Sequence, residues 1–496
     1  MDRSGERVTL DIERLSLGGE GVGRLNKRVI FVPYAAPGDR LDVQITETHA
    51  RYARAQILHV LNPSPDRITP PCPYHFQLQV PSSRCCGGCN WQHLRYDAQL
   101  ETKRALVQET LERLGGLGRI PVKPVLGMKD PWRYRNKVQQ PVGWDCQTRR
   151  MISGFFSPGT HDIFPIEDCL VQPELSVRIL NRTRQLLEHH RLPAYDALRY
   201  TGWIRHLLVR TTTPKSSFPA ATPTSFPPAT GGESKDETTS WIPRQTPRGM
   251  TEQAALIFVS RTPDFPHEQE IIQTLLQEFP QLTGVYQNVN PARTNVIIGR
   301  RWRKLTGADF IEERLGRLTF RLSPGSFFQV NSRQAEVLYN VVRSMAGQGK
   351  RLLDLYCGVG GIALWLADHF EEVGGVEEVP GAIQDAGINA DVNGIRNACF
   401  RAAPVEAFLR GLDRSAGGPA LTVTLDPPRA GCDPAVLKSL WTLKPGRIVY
   451  VSCDPGTLAR DLGILAQGGY RVEEVQPVDL FPQTAHIETA VKLTRL

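Results

Sequence analysis

Arg351-Leu352-Leu353-Asp354-Leu355-Tyr356-Cys357-Gly358-Val359-Gly360-Gly361 is the stretch on which the fold of this 496-residue chain turns. A short apolar run ends in a glycine-rich turn, and a helical pattern opens at Ile362. Strand, glycine turn and helix in that order bring backbone close to a ligand, which is where a nucleotide cofactor belongs. Further along, VGGVE ends a strand at Glu377, LTVTLD ends another at Asp426, RIVYVS stops just before Cys453, and TAVKLTRL closes the chain. Helical stretches from Ile362 and from about Gly381 separate the first of these strands. Residues 325–496 therefore read as an α/β Rossmann-like domain, a mainly parallel sheet whose ligands bind beyond the carboxyl ends of its strands.

Taken singly, each feature of that edge has an ordinary explanation. A glycine-rich turn also serves as a tight strand-helix connection, and Ala363 and Leu364 stand where a dinucleotide fingerprint would need its third glycine. Glu377 is placed to hold ribose hydroxyls, and Asp426, followed by Pro427, Pro428 and Arg429, to face a cofactor or base. Cys453 follows a buried strand and faces the same cleft, but a lone cysteine there is more often a small buried hydrophobe. Glu488, just ahead of the last strand, is a candidate general base, although a lone glutamate is usually solvated.

Upstream the pattern differs. Residues 7 to about 61 alternate apolar and polar positions in short runs broken by glycine turns such as Leu17-Gly18-Gly19-Glu20-Gly21, the mark of a small closed β-barrel. The proline cluster from Asn62 to Pro73 ends it, giving a first domain of 1–62 and a central α+β domain of 63–324. The central part has a helical stretch from about Arg95 to Leu114. It also carries a tract with seven prolines, 211–250, flanked by strand-like IRHLLVR and AALIFVS, which reads as a disordered insertion at a hairpin tip.

Composition bounds the class. Apolar residues at 41% and charged residues at 22% suit a globular protein of two or three domains. The opening segment has no apolar run of signal-peptide length, and no stretch approaches a membrane span, so a cytoplasmic location is expected. Lys and Arg exceed Asp and Glu by 59 to 51, a modest basic excess that suits a polyanionic partner. The ten cysteines of a cytosolic chain point to metal binding or catalysis rather than disulfides.

Five motifs occur together in one order: SPGSFFQVN from Ser323 to Asn331, DLYCGVG, DPPR, SCDPGTLARDL from Ser452 to Leu462, and LFPQTAHIE from Leu480 to Glu488. In this the chain resembles the RNA uracil-5-methyltransferases, particularly the ribosomal-RNA branch, over nearly all its length outside the insertion. The resemblance implies S-adenosylmethionine as cofactor, held by Gln329, Tyr356, Glu377 and Asp426, with Cys453 as nucleophile and Glu488 as base. The chemistry suits these residues. Carbon 5 of uracil is a poor nucleophile; thiolate addition at carbon 6 activates it, and a base must later remove the carbon 5 proton.

The resemblance extends upstream. The barrel looks like a TRAM domain, an RNA-binding barrel of the oligonucleotide type. Cys86-Gly87-Gly88-Cys89 resembles the segment that holds a [4Fe-4S] cluster in the ribosomal branch, with Cys72 and Cys169 completing four thiolates. Here the spacing departs from the family's, because Gln77 to Arg84 lengthens the gap after Cys72. Cys85 therefore competes as first ligand, and four cysteines also suit tetrahedral zinc. Tyr134-Arg135-Asn136-Lys137 and Gly154-Phe155-Phe156 are of the kind that hold phosphates and stack bases. The expected partner is structured RNA, foremost 23S ribosomal RNA with transfer RNA as the alternative, and the expected state a monomer. A non-catalytic RNA-binding protein is the rival from another class. A cytosine-5 enzyme ranks behind, since those carry Pro-Cys where Ser452 precedes Cys453.

Overall fold

The computed structural model describes residues 5–78, 84–118, 120–197, 199–212 and 252–496. The expected disordered insertion at 211–250 falls, from residue 213 on, outside the described residues. At the amino end β1 (Arg7–Leu15), β2 (Gly21–Leu25), β3 (Arg28–Val32), β4 (Arg40–Thr48) and β5 (Tyr52–Asn62) form a closed barrel in the order β1-β2-β3-β5-β4. Period-two alternation sends Leu10, Ile12, Ile30, Val32, Leu41, Val43 and Ala55 inward. A parallel pairing of β3 with β5 shuts the circle.

The central sheet runs β12-β11-β10-β9-β6-β7-β8. Its strands are β6 (Lys137–Asp145), β7 (Arg150–Phe156), β8 (Ile163–Pro165), β9 (Ile204–Thr211), β10 (Ala254–Ser260), β11 (Leu282–Val289) and β12 (Arg301–Gly307). The strand-like flanks of the proline-rich tract are β9 and β10, paired antiparallel with Thr211 opposite Ala254. Every residue of β10 is buried, because both faces of the sheet are covered. Ala254, Leu256 and Phe258 pack toward α2 (Glu174–His189) and α3 (Glu268–Glu278). Ala255, Ile257 and Val259 join the core of the carboxyl-terminal domain.

That domain opens with a hairpin, β13 (Ile311–Leu315) and β14 (Leu318–Leu322), then alternates α4 (Ser332–Ala346), β15 (Gly349–Leu355), α5 (Gly361–Leu366), β16 (Phe370–Glu377), α6 (Pro380–Val392), β17 (Ala398–Ala402), α7 (Val405–Gly411), β18 (Leu421–Leu425), α8 (Pro434–Leu443), β19 (Arg447–Ser452), α9 (Pro455–Gln467), β20 (Tyr470–Val478) and β21 (Glu488–Arg495). The sheet order is β17-β16-β15-β18-β19-β21-β20, and β21 runs antiparallel to both its neighbours. One long element of the central segment belongs physically to this domain: α1 (Tyr96–Leu114) buries Val107 and Leu111 against Leu458 and Leu462 of α9. Among the described residues no helix is long and apolar enough to cross a membrane.

Candidate active site and cysteine site

Strand register assembles the carboxyl edge. Leu355 of β15 lies opposite Val376 of β16 and Leu425 of β18, so Tyr356, Glu377 and Asp426 stand next to one another one residue further on. Cys453 follows β19 directly. Ser452 pairs with the antiparallel Thr489, which brings Glu488 opposite Cys453 across a helix and a strand of sequence. These five residues and Gln329 line one cavity of about 1430 Å³. Cys453 keeps part of its surface in that cavity, whereas Glu488 is almost wholly buried.

Electrostatics in the cavity are dominated by acids out of water. Burial, then Asp426, push the Glu488 carboxyl well above the usual range, and Arg429 opposes them. Asp426 is pushed up to about 7 by burial and by Asp354. Burial also pushes Asp354 up to about 7, against the Thr424 hydroxyl it accepts at 2.6 Å and the Ala363 amide at 3.0 Å. The Cys453 thiol rises to about 11 through burial and Glu488, with Arg429 pulling the other way. Tyr356 holds a left-handed backbone, φ 66°, a strained conformation for a non-glycine residue that clusters at functional sites. Glu377 accepts the Gly358 amide at 3.3 Å and the Val379 amide at 3.0 Å.

Sequence reading passed over the residues that hold these groups in place. Asp385 of α6 accepts the Ser323 amide (3.0 Å) and the Ser323 and Ser326 hydroxyls (2.6 Å each), clamping the segment that carries Gln329. Asn136 donates to the Gln329 carbonyl at 3.0 Å and the Ser332 hydroxyl at 2.7 Å. The phosphate role expected for Tyr134–Lys137 is thus corrected for two members. Tyr134 is buried with its hydroxyl on the Pro482 carbonyl at 2.9 Å, and Asn136 is internal scaffolding. Arg135 lines the cavity.

The loop leading to Glu488 is fastened at five successive carbonyls. Asp479 accepts from Gln334 Nε2 (3.0 Å), Leu480 from Asn331 Nδ2 (3.0 Å), Phe481 from Lys103 Nζ (3.2 Å) and Pro482 from Tyr134. Gln483 accepts from the Asn90 and Trp91 amides at 3.2 and 3.0 Å. Sequence offers no period or motif that predicts such pairings, since every donor lies far away in the chain.

Cys72, Cys86, Cys89 and Cys169 converge. Burial raises all four thiols, and charged neighbours raise them further: Cys86, pushed up to about 12, feels Cys169, Cys72 and Cys85, Cys89 feels Cys169, Cys86 and Cys72, Cys169 feels Cys72, and Cys72 feels Asp168. Half-buried neighbouring thiols that repel one another when ionised are the donor set a cationic centre neutralises. The Gly88 amide points at Cys86 Sγ, 3.4 Å away. At Gly87 a Cβ would stand 2.5 Å from the Phe156 carbonyl oxygen, so the hairpin between the two cysteines closes only with glycine there. Gly154-Phe155-Phe156 therefore buttresses this hairpin, with Phe155 against Gly88. Cys85 turns the other way, into the barrel core, 3.4 Å from the Tyr34 hydroxyl.

A sheet of this order with a single reversed strand, and acids ranged along its carboxyl edge, defines an S-adenosylmethionine-dependent methyltransferase. Residues 288–496 match the family model for tRNA (Uracil-5-)-methyltransferase, and residues 3–58 match that for the TRAM domain. The chain is 37% identical over 493 residues to a Bacillus cereus protein named as an uncharacterized RNA methyltransferase, spanning 99% of this chain and 97% of that one. A Halalkalibacterium halodurans protein of the same description is 36% identical over 488 residues, spanning 98% and 96%. The solved Pyrococcus abyssi tRNA (uracil-54, C5)-methyltransferase, in complex with S-adenosyl-L-homocysteine, matches with a TM-score of 0.71 at 28% identity, covering 98% of this chain and 100% of that one. The chain belongs to the RNA uracil-5-methyltransferase family.

Proposed function

We propose that this enzyme methylates carbon 5 of a uridine through a covalent intermediate on Cys453, resolved by Glu488. The observation that carries the reading is the β19–β21 register, which sets a thiol and a buried carboxyl opposite each other in one cavity. Gln329, Tyr356, Glu377 and Asp426 hold S-adenosylmethionine, which when bound supplies an electrophilic methyl group on its sulfonium. Cys453 starts as a thiol, loses its proton to solvent, and adds through its Sγ thiolate to carbon 6, while the C5–C6 π pair moves to make carbon 5 an enolate carbon that accepts the methyl group. Glu488 then takes the carbon 5 proton. The freed electron pair rebuilds the C5–C6 double bond, and the carbon–sulfur pair returns to Cys453. A carboxyl lifted by burial is a stronger base than an exposed one, as this step requires.

Cys72, Cys86, Cys89 and Cys169 hold a [4Fe-4S] cluster in this reading, which would staple the 72–89 segment to residue 169. The RNA is structured, with the target uridine in a loop or flipped out so that carbon 6 is open to attack. We assign it to 23S ribosomal RNA on the combination of the TRAM domain with the four cysteines. Likeness to the Pyrococcus abyssi tRNA enzyme supports transfer RNA as the second reading. Mapping 5-methyluridine in cells with and without the gene decides between them: a site lost from ribosomal RNA upholds the first, one lost from transfer RNA the second. For the chemistry, Cys453→Ala abolishes turnover and Glu488→Gln accumulates a protein–RNA adduct. Full activity of the alanine variant refutes the mechanism.

A further inference from the structure

Asn90 stands where three parts of the molecule meet. Its side-chain oxygen accepts the Ala485 amide at 3.0 Å, three residues before Glu488, and its Nδ2 donates to the Gly18 carbonyl of the barrel at 3.4 Å. Beside it, Trp91 Nε1 donates to the Gly19 carbonyl at 3.0 Å. The backbone amides of both residues bind the Gln483 carbonyl. Cys89, one of the four converging thiols, precedes Asn90 directly. Gln483 has a left-handed backbone, φ 69°, a conformation that persists only where its surroundings over-determine it. Gln99 adds to that constraint by accepting the Gln483 amide and donating to its side-chain oxygen, both at 3.0 Å. Gly19, at φ +88°, leaves no room on the barrel side: a Cβ there would lie 2.4 Å from Asn90 Nδ2 and 2.9 Å from Ala485 Cβ.

We infer that Asn90 is a positioning residue that couples the barrel and the four-cysteine hairpin to the catalytic base, holding the 483–485 turn so that Glu488 meets the carbon 5 proton. The inference rests on the assignment of Glu488 made above. It separates two steps. Addition of Cys453 and methyl transfer do not need Glu488, whereas removal of the proton and expulsion of sulfur do. A loosened turn slows the second step and leaves the first intact.

The test uses full-length Asn90→Ala and, from the barrel side, Gly19→Ala. With RNA carrying 5-fluorouridine at the target, carbon 5 bears fluorine where the removable proton would be, so the methylated adduct persists and its rate of appearance reports addition and methyl transfer only. Both variants are expected to form this adduct within about twofold of the wild-type rate, while turnover on ordinary RNA falls about tenfold or more and the unresolved adduct builds up. A merely structural role lowers both rates together, as would loss of the group on the cysteines, which iron analysis of the same samples reports. Parallel losses, or wild-type behaviour in both variants, overturn the inference. If Glu488→Gln turns over normally in the same assay, it is the base assignment that fails.

Discussion

At the residue scale the cavity is governed by protonation. Cys453, near 11, and Glu488, well above the usual carboxyl range, must both be deprotonated to act. Turnover at saturating substrate is therefore expected to climb with pH through the neutral range and on toward about 11, where Cys453 ionises, as a stopped-time assay with labelled methyl donor would register. A flat profile would separate the rate-limiting step from these groups. Stability has the opposite slope. Asp426 ionises near 3.8 when exposed and near 7 in the fold, so between those values the folded state holds a proton that the unfolded state has lost. Stability falls as pH rises through that window and stays lowered above it. Asp426→Asn removes the burden. Its melting temperature should exceed that of the parent at pH 8 and match it near pH 3.5, while the proposed role of Asp426 in holding the methyl donor makes activity drop.

Among elements, α1 shows how a helix distant in sequence serves the site. Lys103 and Asp479 are both fully buried and 2.6 Å apart, and Tyr96 donates to the other Asp479 oxygen at 2.8 Å. Burial presses the Lys103 ammonium toward its neutral form, and Asp479 resists. Such a pair adds little over an apolar one, but cutting one partner strands a buried charge. Lys103→Met should cost roughly 3–5 kcal/mol in a urea titration and free the Phe481 carbonyl. Replacing Lys103 without measurable loss would mean that the pair is dispensable. The element-scale lesson of β21 is similar: its reversal puts Glu488, rather than a residue from the far end of that strand, at the cavity.

For the whole molecule the four cysteines are the diagnostic group, because these thiols come from either side of α1 and the first central strands. Protein purified without oxygen is expected to carry about four iron atoms per chain. Cys72→Ala and Cys169→Ala should lose them, and Cys85→Ala should keep them, since its thiol faces Tyr34 in the barrel. Zinc in place of iron, or loss in the Cys85 variant alone, would reverse the assignment.

Much was legible beforehand. Alternation marked the barrel, the run AALIFVS marked a strand, and the strand-helix rhythm after Gly325 marked the parallel sheet, because backbone periodicity is local and is written in consecutive residues. The acids and the cysteine at strand ends could be picked out for the same reason, and five motifs in order tied them to one family. Tertiary structure alone decided that Glu488 lies opposite Cys453, that Cys85 leaves the cysteine group, that α1 belongs with the catalytic sheet, and that Asn136, Asp385 and Asn90 hold the site together. Those facts depend on register, strand direction and contacts between segments hundreds of residues apart. Such contacts leave no repeat in a single sequence, since either partner looks like an ordinary polar residue until the fold brings the other to it.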